Sequence, residues 1–246
     1  GISPFGIYRN KTSTLDGSGS ETNGLQNYDD LYADIKLWVE KGWIDYNMPQ
    51  LYFEIGHELA DYTTLAKWWN DNNFEQPLYF GQSVMRSMKQ NVLEEKIYQS
   101  RTLPFVDGNC YWPGNAILNN EDAKDILATN LHKAKSLIPA YTHMYKGSPA
   151  KVKNLIEEVN TEGVNLITWK SDNETNNPKT ANNFVVYRFG NGERIDINDA
   201  TKIVKITPYN YFVIPYENGE TPYTYAITAL DAYHNESEMV KIKVKH

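Results

Sequence analysis

Along the first 140 residues, short apolar runs alternate with stretches of helical periodicity. The runs are Ile2 to Tyr8, Trp43 to Phe53, Pro77 to Gly81 and Phe105 to Trp112. Between them, Leu31, Ile35, Trp38 and Val39 follow the i, i+4, i+7, i+8 spacing of an amphipathic helix. Gly42 stands where such a helix ends. Tyr62, Leu65, Ala66 and Trp69 form a second stripe, with Asp61 as its N-cap. A third helix falls around Leu93 and Ile97. A fourth has Asn120 as its cap and Leu127, Leu131, Ala134 and Ile138 on one stripe. Four strand–helix units in succession predict parallel strands with crossover helices, whose ligand sites lie at the carboxyl ends of the strands. The polar, Gly-rich Asp16-Gly-Ser-Gly-Ser-Glu-Thr-Asn-Gly24 reads as a mobile loop.

From about residue 150 the period changes. Val164–Lys170, Asn183–Phe189, Lys202–Ile206, Tyr211–Ile214, Tyr223–Leu230 and Glu238–Val244 are short β-rich runs. Turn signals at Gly190-Asn-Gly192, Asn218-Gly219 and His234-Asn235 separate them. About seven short strands over such a length predict an immunoglobulin-like sandwich. Tyr145-Lys-Gly-Ser-Pro149 reads as the linker. The expected organisation is therefore α/β plus all-β: a partial β/α barrel over 1–146 and a β-sandwich over 147–246.

Composition narrows the function. The 246 residues carry 24 Lys plus Arg against 31 Asp plus Glu, a net charge of −7 that argues against a nucleic-acid partner. No apolar run is long enough to span a bilayer. The single cysteine, Cys110, excludes an internal disulfide framework. No signal peptide is visible, and the opening residues read as the middle of a domain. The five histidines are scattered without metal-ligand spacing, so neither a metal nor a cofactor is expected. Asn-x-Ser/Thr sequons occur at Asn10, Asn173 and Asn235. Aromatic residues make up 13% of the chain, enough to serve both core packing and stacking on sugar faces.

Several motifs carry a resemblance. Gly1-Ile-Ser-Pro-Phe-Gly-Ile-Tyr-Arg-Asn10, Ile44-Asp-Tyr-Asn-Met-Pro-Gln-Leu-Tyr52, Asp61-Tyr-Thr-Thr-Leu-Ala-Lys-Trp-Trp69 and Leu78-Tyr-Phe-Gly81 resemble the glycosyl-hydrolase-like 10 family over about residues 1–145. The later part, with Trp169, Tyr187-Arg188 and Tyr223 as a tyrosine-corner residue, resembles a fibronectin type III domain. The family's barrel has eight strands. The resemblance therefore implies that this chain holds the second half, without the acidic motif of the first. It also implies an exported bacterial protein: extracellular, periplasmic or cell-surface. The family usually has Trp after the Pro-Gln-x-Tyr motif, where this chain has Phe53-Glu54.

Hydrolysis of a glycosidic bond needs two flanking carboxyl groups. The catalytic candidates are Glu54, just past the second run, and Asp45, early in it. Solvated or structural roles are the alternatives for both. Arg9 and Asn10, following the first run, are candidate sugar ligands, or else pair within their loop. Gln50 and Tyr52 end the second run as candidate substrate contacts, and His57 follows them. Tyr111 and Trp112 end the fourth run, Trp112 as a candidate sugar platform. The expected function is that of a glycoside hydrolase fragment acting on a polysaccharide or cell-wall glycan, inactive alone. The alternative is a non-catalytic carbohydrate-binding or scaffold module. A homodimer closing exposed sheet edges is a further expectation.

Overall fold

A computed structural model describes residues 1–172, 176–216 and 222–245. Asn173 and the Asn218-Gly219 turn signal lie outside the described residues. The chain divides into two compact units, Gly1–Lys133 and Ala134–His246. The division falls earlier than the linker expected near residue 146, because the 134–146 segment is tied into the second unit. Tyr141 N–H donates to Tyr233 O (2.9 Å), and Asn235 Nδ2 donates to Tyr145 O (3.3 Å).

In the first unit the regular elements are α1 (Ile35–Glu40), α2 (Tyr62–Asp71), β1 (Tyr79–Ser83), α3 (Val84–Lys89), α4 (Leu93–Arg101), β2 (Gly108–Trp112), α5 (Gly114–Leu118) and α6 (Glu121–Asp125). β1 and β2 pair in parallel. Two shorter extended segments continue the ladder in chain order, also in parallel. Ile2 and Phe5 bridge to Asn47 and Gln50, which bridge in turn to Leu78 and Gly81.

Side chains alternate across these rows, and the two faces differ. Leu51, Leu78 and Phe80, all fully buried, point into a core shared with Ile35, Val39, Tyr62, Leu65 and Trp69. Each such burial contributes about 1.5–3 kcal/mol. Phe5, Gln50, Gly81 and Cys110 form one row on the opposite face, where Phe5 is 48% exposed and Trp112 62%. The fourfold alternation expected from the sequence is thus present as parallel pairing, with one face open to solvent.

Local signals explain the elements. Asp61 accepts from Thr64 N–H (2.8 Å) and caps α2 as expected. Gly42 follows α1 with φ +65°, a conformation that disfavours side chains. α1 starts at Ile35 rather than Leu31, since Asp34 provides the cap and Tyr32 has φ 55°. The last helix is shorter than its stripe. Asn120 caps α6 as expected, a wide turn spans Ile126–Leu131, and Ile138 is exposed rather than on a helix face. The Gly-rich loop is anchored rather than free. Ser20 N–H donates to Arg9 O (3.0 Å), and Lys11 N–H donates to Ser20 O (2.7 Å). Trp68 Nε1 donates to Ser18 O (2.8 Å).

The second unit comprises β3 (Lys153–Val159), β4 (Asn165–Lys170), β5 (Asn183–Phe189), β6 (Ile203–Thr207), β7 (Tyr211–Val213), β8 (Pro222–Leu230) and β9 (Val240–Lys245). They form two antiparallel sheets, β3-β4-β7 and β6-β5-β8-β9. Ile167, Trp169 and Phe212 from one sheet meet Phe184, Val186, Tyr225 and Ile227 from the other in a common core, which makes the unit a β-sandwich. β5 and β8 are buried on both faces. Val185, Tyr187 and Ala226 pack beneath Leu137, Ile195 and Ile197. Tyr223, the expected corner residue, lies under the Arg188 guanidinium at 4.7 Å.

Candidate functional site

The parallel segments bring their carboxyl ends to one edge of the first unit. There a cavity of about 440 Å³ opens between the first two segments and α3. Its wall includes Phe5, Leu25, Gln50, Tyr52, Phe53, His57, Leu59 and Arg86, and no Asp or Glu. Gly6 in this wall allows close backbone approach, as a Cβ there would lie 2.8 Å from Gln50 O.

The polar groups of the wall are mostly donors. His57 Nδ1 accepts from the N–H groups of Leu59 and Ala60, both at 3.2 Å. An accepting Nδ1 leaves Nε2 as the ring's donor. The Tyr52 hydroxyl is pushed up from its usual pKa by burial and by nearby Cys110, so it stays protonated. Gln50 Nε2 donates to Ser3 O (3.0 Å), leaving its carbonyl oxygen as an acceptor. The Arg86 guanidinium, from α3, has no hydrogen-bond or ion-pair partner among the described residues, while its carbonyl accepts from Gln90 N–H (3.1 Å).

Of the residues expected from sequence, the structure gathers Gln50, Tyr52 and His57. Glu54 lies outside the wall: Gln90 Nε2 donates to its Oε2, and its carbonyl accepts from Tyr62 N–H (3.1 Å). Asp45 sits at the other end of the same segment, 3.9 Å from the Gly1 amino group and 60% exposed. The extended Asn47–Gln50 stretch between them alone spans about 10 Å. Paired glycosidase carboxyls lie about 5 to 9.5 Å apart. Asp45 and Glu54 thus flank the same segment from its two ends, Asp45 beside the Gly1 amino group and Glu54 beside Gln90.

Arg9 and Asn10 hold their own loop together. Arg9 Nε and Nη2 grip Asp29 at 2.8 and 2.7 Å, with the guanidinium 4.6 Å from the Tyr28 ring centroid. Asn10 is buried. It accepts from Thr22 Oγ1 (3.0 Å) and Gly24 N–H (3.2 Å), and donates to Gly24 O (2.9 Å). Asn235 is likewise buried and donates to Asp231 (3.0 Å), so neither sequon presents a free amide. Tyr111 faces the helices. Its hydroxyl meets His132 Nε2 at 2.6 Å. Burial pushes it up to about 12, against the opposing charge of Arg101. Trp112 is exposed at its strand tip but outside the cavity wall.

Arg86 was missed from sequence, as was a second hollow of about 630 Å³ on the other side of α3, with Met85, Met88, Lys89, Asn91, Asn115 and Asn119 in its wall. The available signal was position. Both α3 and α5 follow a strand directly, where β/α folds concentrate function. Among the described residues no group of three or more His, Cys, Asp or Glu could hold a metal, and no helix is long and apolar enough to cross a membrane.

Residues 1–100 match the Glycosyl hydrolase-like 10 family. The resemblance carried by the Gly1–Asn10, Ile44–Tyr52, Asp61–Trp69 and Leu78–Gly81 motifs falls inside that match. Glycosyl hydrolase YngK of Bacillus subtilis is 32% identical over 100% of this chain. Glycosyl hydrolase DigH of Escherichia coli is 46% identical over 71 residues, 29% of the chain. The chain spans 49% of YngK and aligns with 16% of DigH. The crystal structure of FN3tt covers 41% of this chain and 96% of its own at 16% identity, with a TM-score of 0.30. That likeness is too slight to add to what the sheet order shows.

Proposed function

We propose that this chain is the second half of a β/α-barrel glycoside hydrolase joined to a fibronectin type III-like sandwich, and that alone it binds a polysaccharide or cell-wall glycan without cleaving it. One observation carries the reading. The glycosyl hydrolase-like 10 segment has a ring-lined cavity at its strand tips, rich in donors, with no carboxylate in the wall. Such a wall can hold a sugar through stacking and hydroxyl contacts. It lacks both the acid and the nucleophile or base that hydrolysis needs. Those groups then come from polypeptide covering the open face, in keeping with the longer relatives. The experiment is a glycan panel assayed for new reducing ends and, separately, for binding by tryptophan fluorescence. Binding without turnover is expected; turnover by this chain alone would sink the reading.

A second reading rests on the open sheet. Parallel sheets are normally covered on both faces, yet Phe5 and Trp112 are exposed here. The first segment and β2 each lack a neighbouring strand on one side among the described residues. Two copies could close these edges as a homodimer, and light scattering across a concentration series checks it. The resemblance also supports an exported location for the parent protein, to be checked by cell fractionation with an antiserum.

A further inference from the structure

Arg86 is the only Lys or Arg in the wall of the 440 Å³ cavity. Elsewhere in this unit arginines are engaged: Arg9 grips Asp29, and Arg101 donates to Leu131 O. Arg86 has no such partner among the described residues. It stands exposed at the mouth of a hollow without a carboxylate, beside two further donors, the His57 Nε2–H and the Tyr52 hydroxyl. A guanidinium at an apolar, donor-rich concavity creates a local positive site in a chain whose net charge is −7. Its planar fork matches an oxyanion in two parallel hydrogen bonds.

We propose that Arg86 selects sugars bearing an anionic group, a carboxylate or a sulfate, over neutral ones. This rests on the reading of the cavity as a glycan site. A sugar ring would lie against Tyr52 and Phe53 while its oxyanion meets Arg86 at the mouth. Neutral sugars keep the ring contacts and lose the charged one.

The test uses the full chain and three sets of probes: oligouronate tetrasaccharides, their carboxyl-reduced neutral counterparts, and sulfated neutral tetrasaccharides. Calorimetric titration of the wild type should show about tenfold tighter binding of an anionic set than of the neutral one. Raising the salt should narrow that gap. Preference for uronate or for sulfate identifies the group. Arg86→Gln should abolish the preference for the anionic sets, and Arg86→Lys should restore part of it. Arg86 is exposed, so circular dichroism and an unchanged unfolding midpoint should show both variants folded. Equal binding of neutral and anionic probes, indifferent to Arg86→Gln, overturns the inference and leaves the glycan site standing. No binding of any probe overturns both.

Discussion

Lys96 offers the sharpest test of the structure. It is fully buried in α4, its Nζ donates to Leu51 O at 2.8 Å, and it lies 4.4 Å from the Tyr62 ring centroid. Burial pushes its pKa down from 10.5 to about 7. That displacement corresponds to about 5 kcal/mol. The carbonyl and the ring both favour the ammonium, so the figure is an upper limit. Between pH 7 and 10.5 the unfolded chain keeps the proton that the folded chain has lost. Stability therefore rises with pH across this window and is flat below it. From pH 7 to pH 9 the expected gain is about 2 kcal/mol. Lys96→Met removes the titration and leaves the Leu51 carbonyl unpaired, a cost of about 1–3 kcal/mol that does not depend on pH. The assay is urea unfolding at several pH values, followed by tryptophan fluorescence. Five of the six tryptophans lie in the first unit, so the signal mainly reports that unit. Relative to wild type, Lys96→Met should lose about 2 kcal/mol between pH 7 and pH 9. Parallel pH dependences for the two proteins would refute the burial argument.

Four further outcomes follow from single side chains. Asp61→Ala removes the acceptor of the Thr64 and Gly56 amides (2.8 and 2.6 Å) and should cost the first unit about 1–2 kcal/mol in chemical unfolding. Burial raises the Asp61 pKa, but those amides outweigh it and hold the carboxyl below its usual value, so the deficit should shrink as the pH falls below about 4. Trp169→Ala opens the sandwich core and should cost about 3–5 kcal/mol in the second unit's transition while sparing the first, as resolved by calorimetry. Tyr52→Phe should weaken oligosaccharide binding by about three- to tenfold with no change in unfolding midpoint. Asp45→Asn, at the opposite strand end, should leave that titration unchanged.

How far the fold was legible depended on how local each signal is. α2 was readable because its cap, Asp61, and its stripe, Tyr62 to Trp69, lie within nine consecutive residues. α3 and α5 were invisible because six and five residues are too few to repeat an apolar face. β3 escaped notice because nearly all its side chains are exposed and no alternation marks it. The stripe past Leu131 misled because Ala134 onward belongs with the sandwich, a tertiary preference that periodicity does not record. The same distinction holds at the site. Gln50 and Tyr52 were legible as a strand end. Glu54 looked equivalent four residues after Gln50, but its side chain is held by Gln90, outside the cavity wall. Arg86 has no motif of its own; it matters only because β1 runs directly into α3 beside the second segment. The row Phe5–Gln50–Gly81–Cys110 makes the point most strongly. Phe5 and Cys110 belong to apolar runs in the sequence, yet in this chain they are exposed. Hydrophobic periodicity specifies which side chains share a face. It leaves open whether the same polypeptide covers that face, and here the answer bears directly on whether the chain can catalyse or only bind.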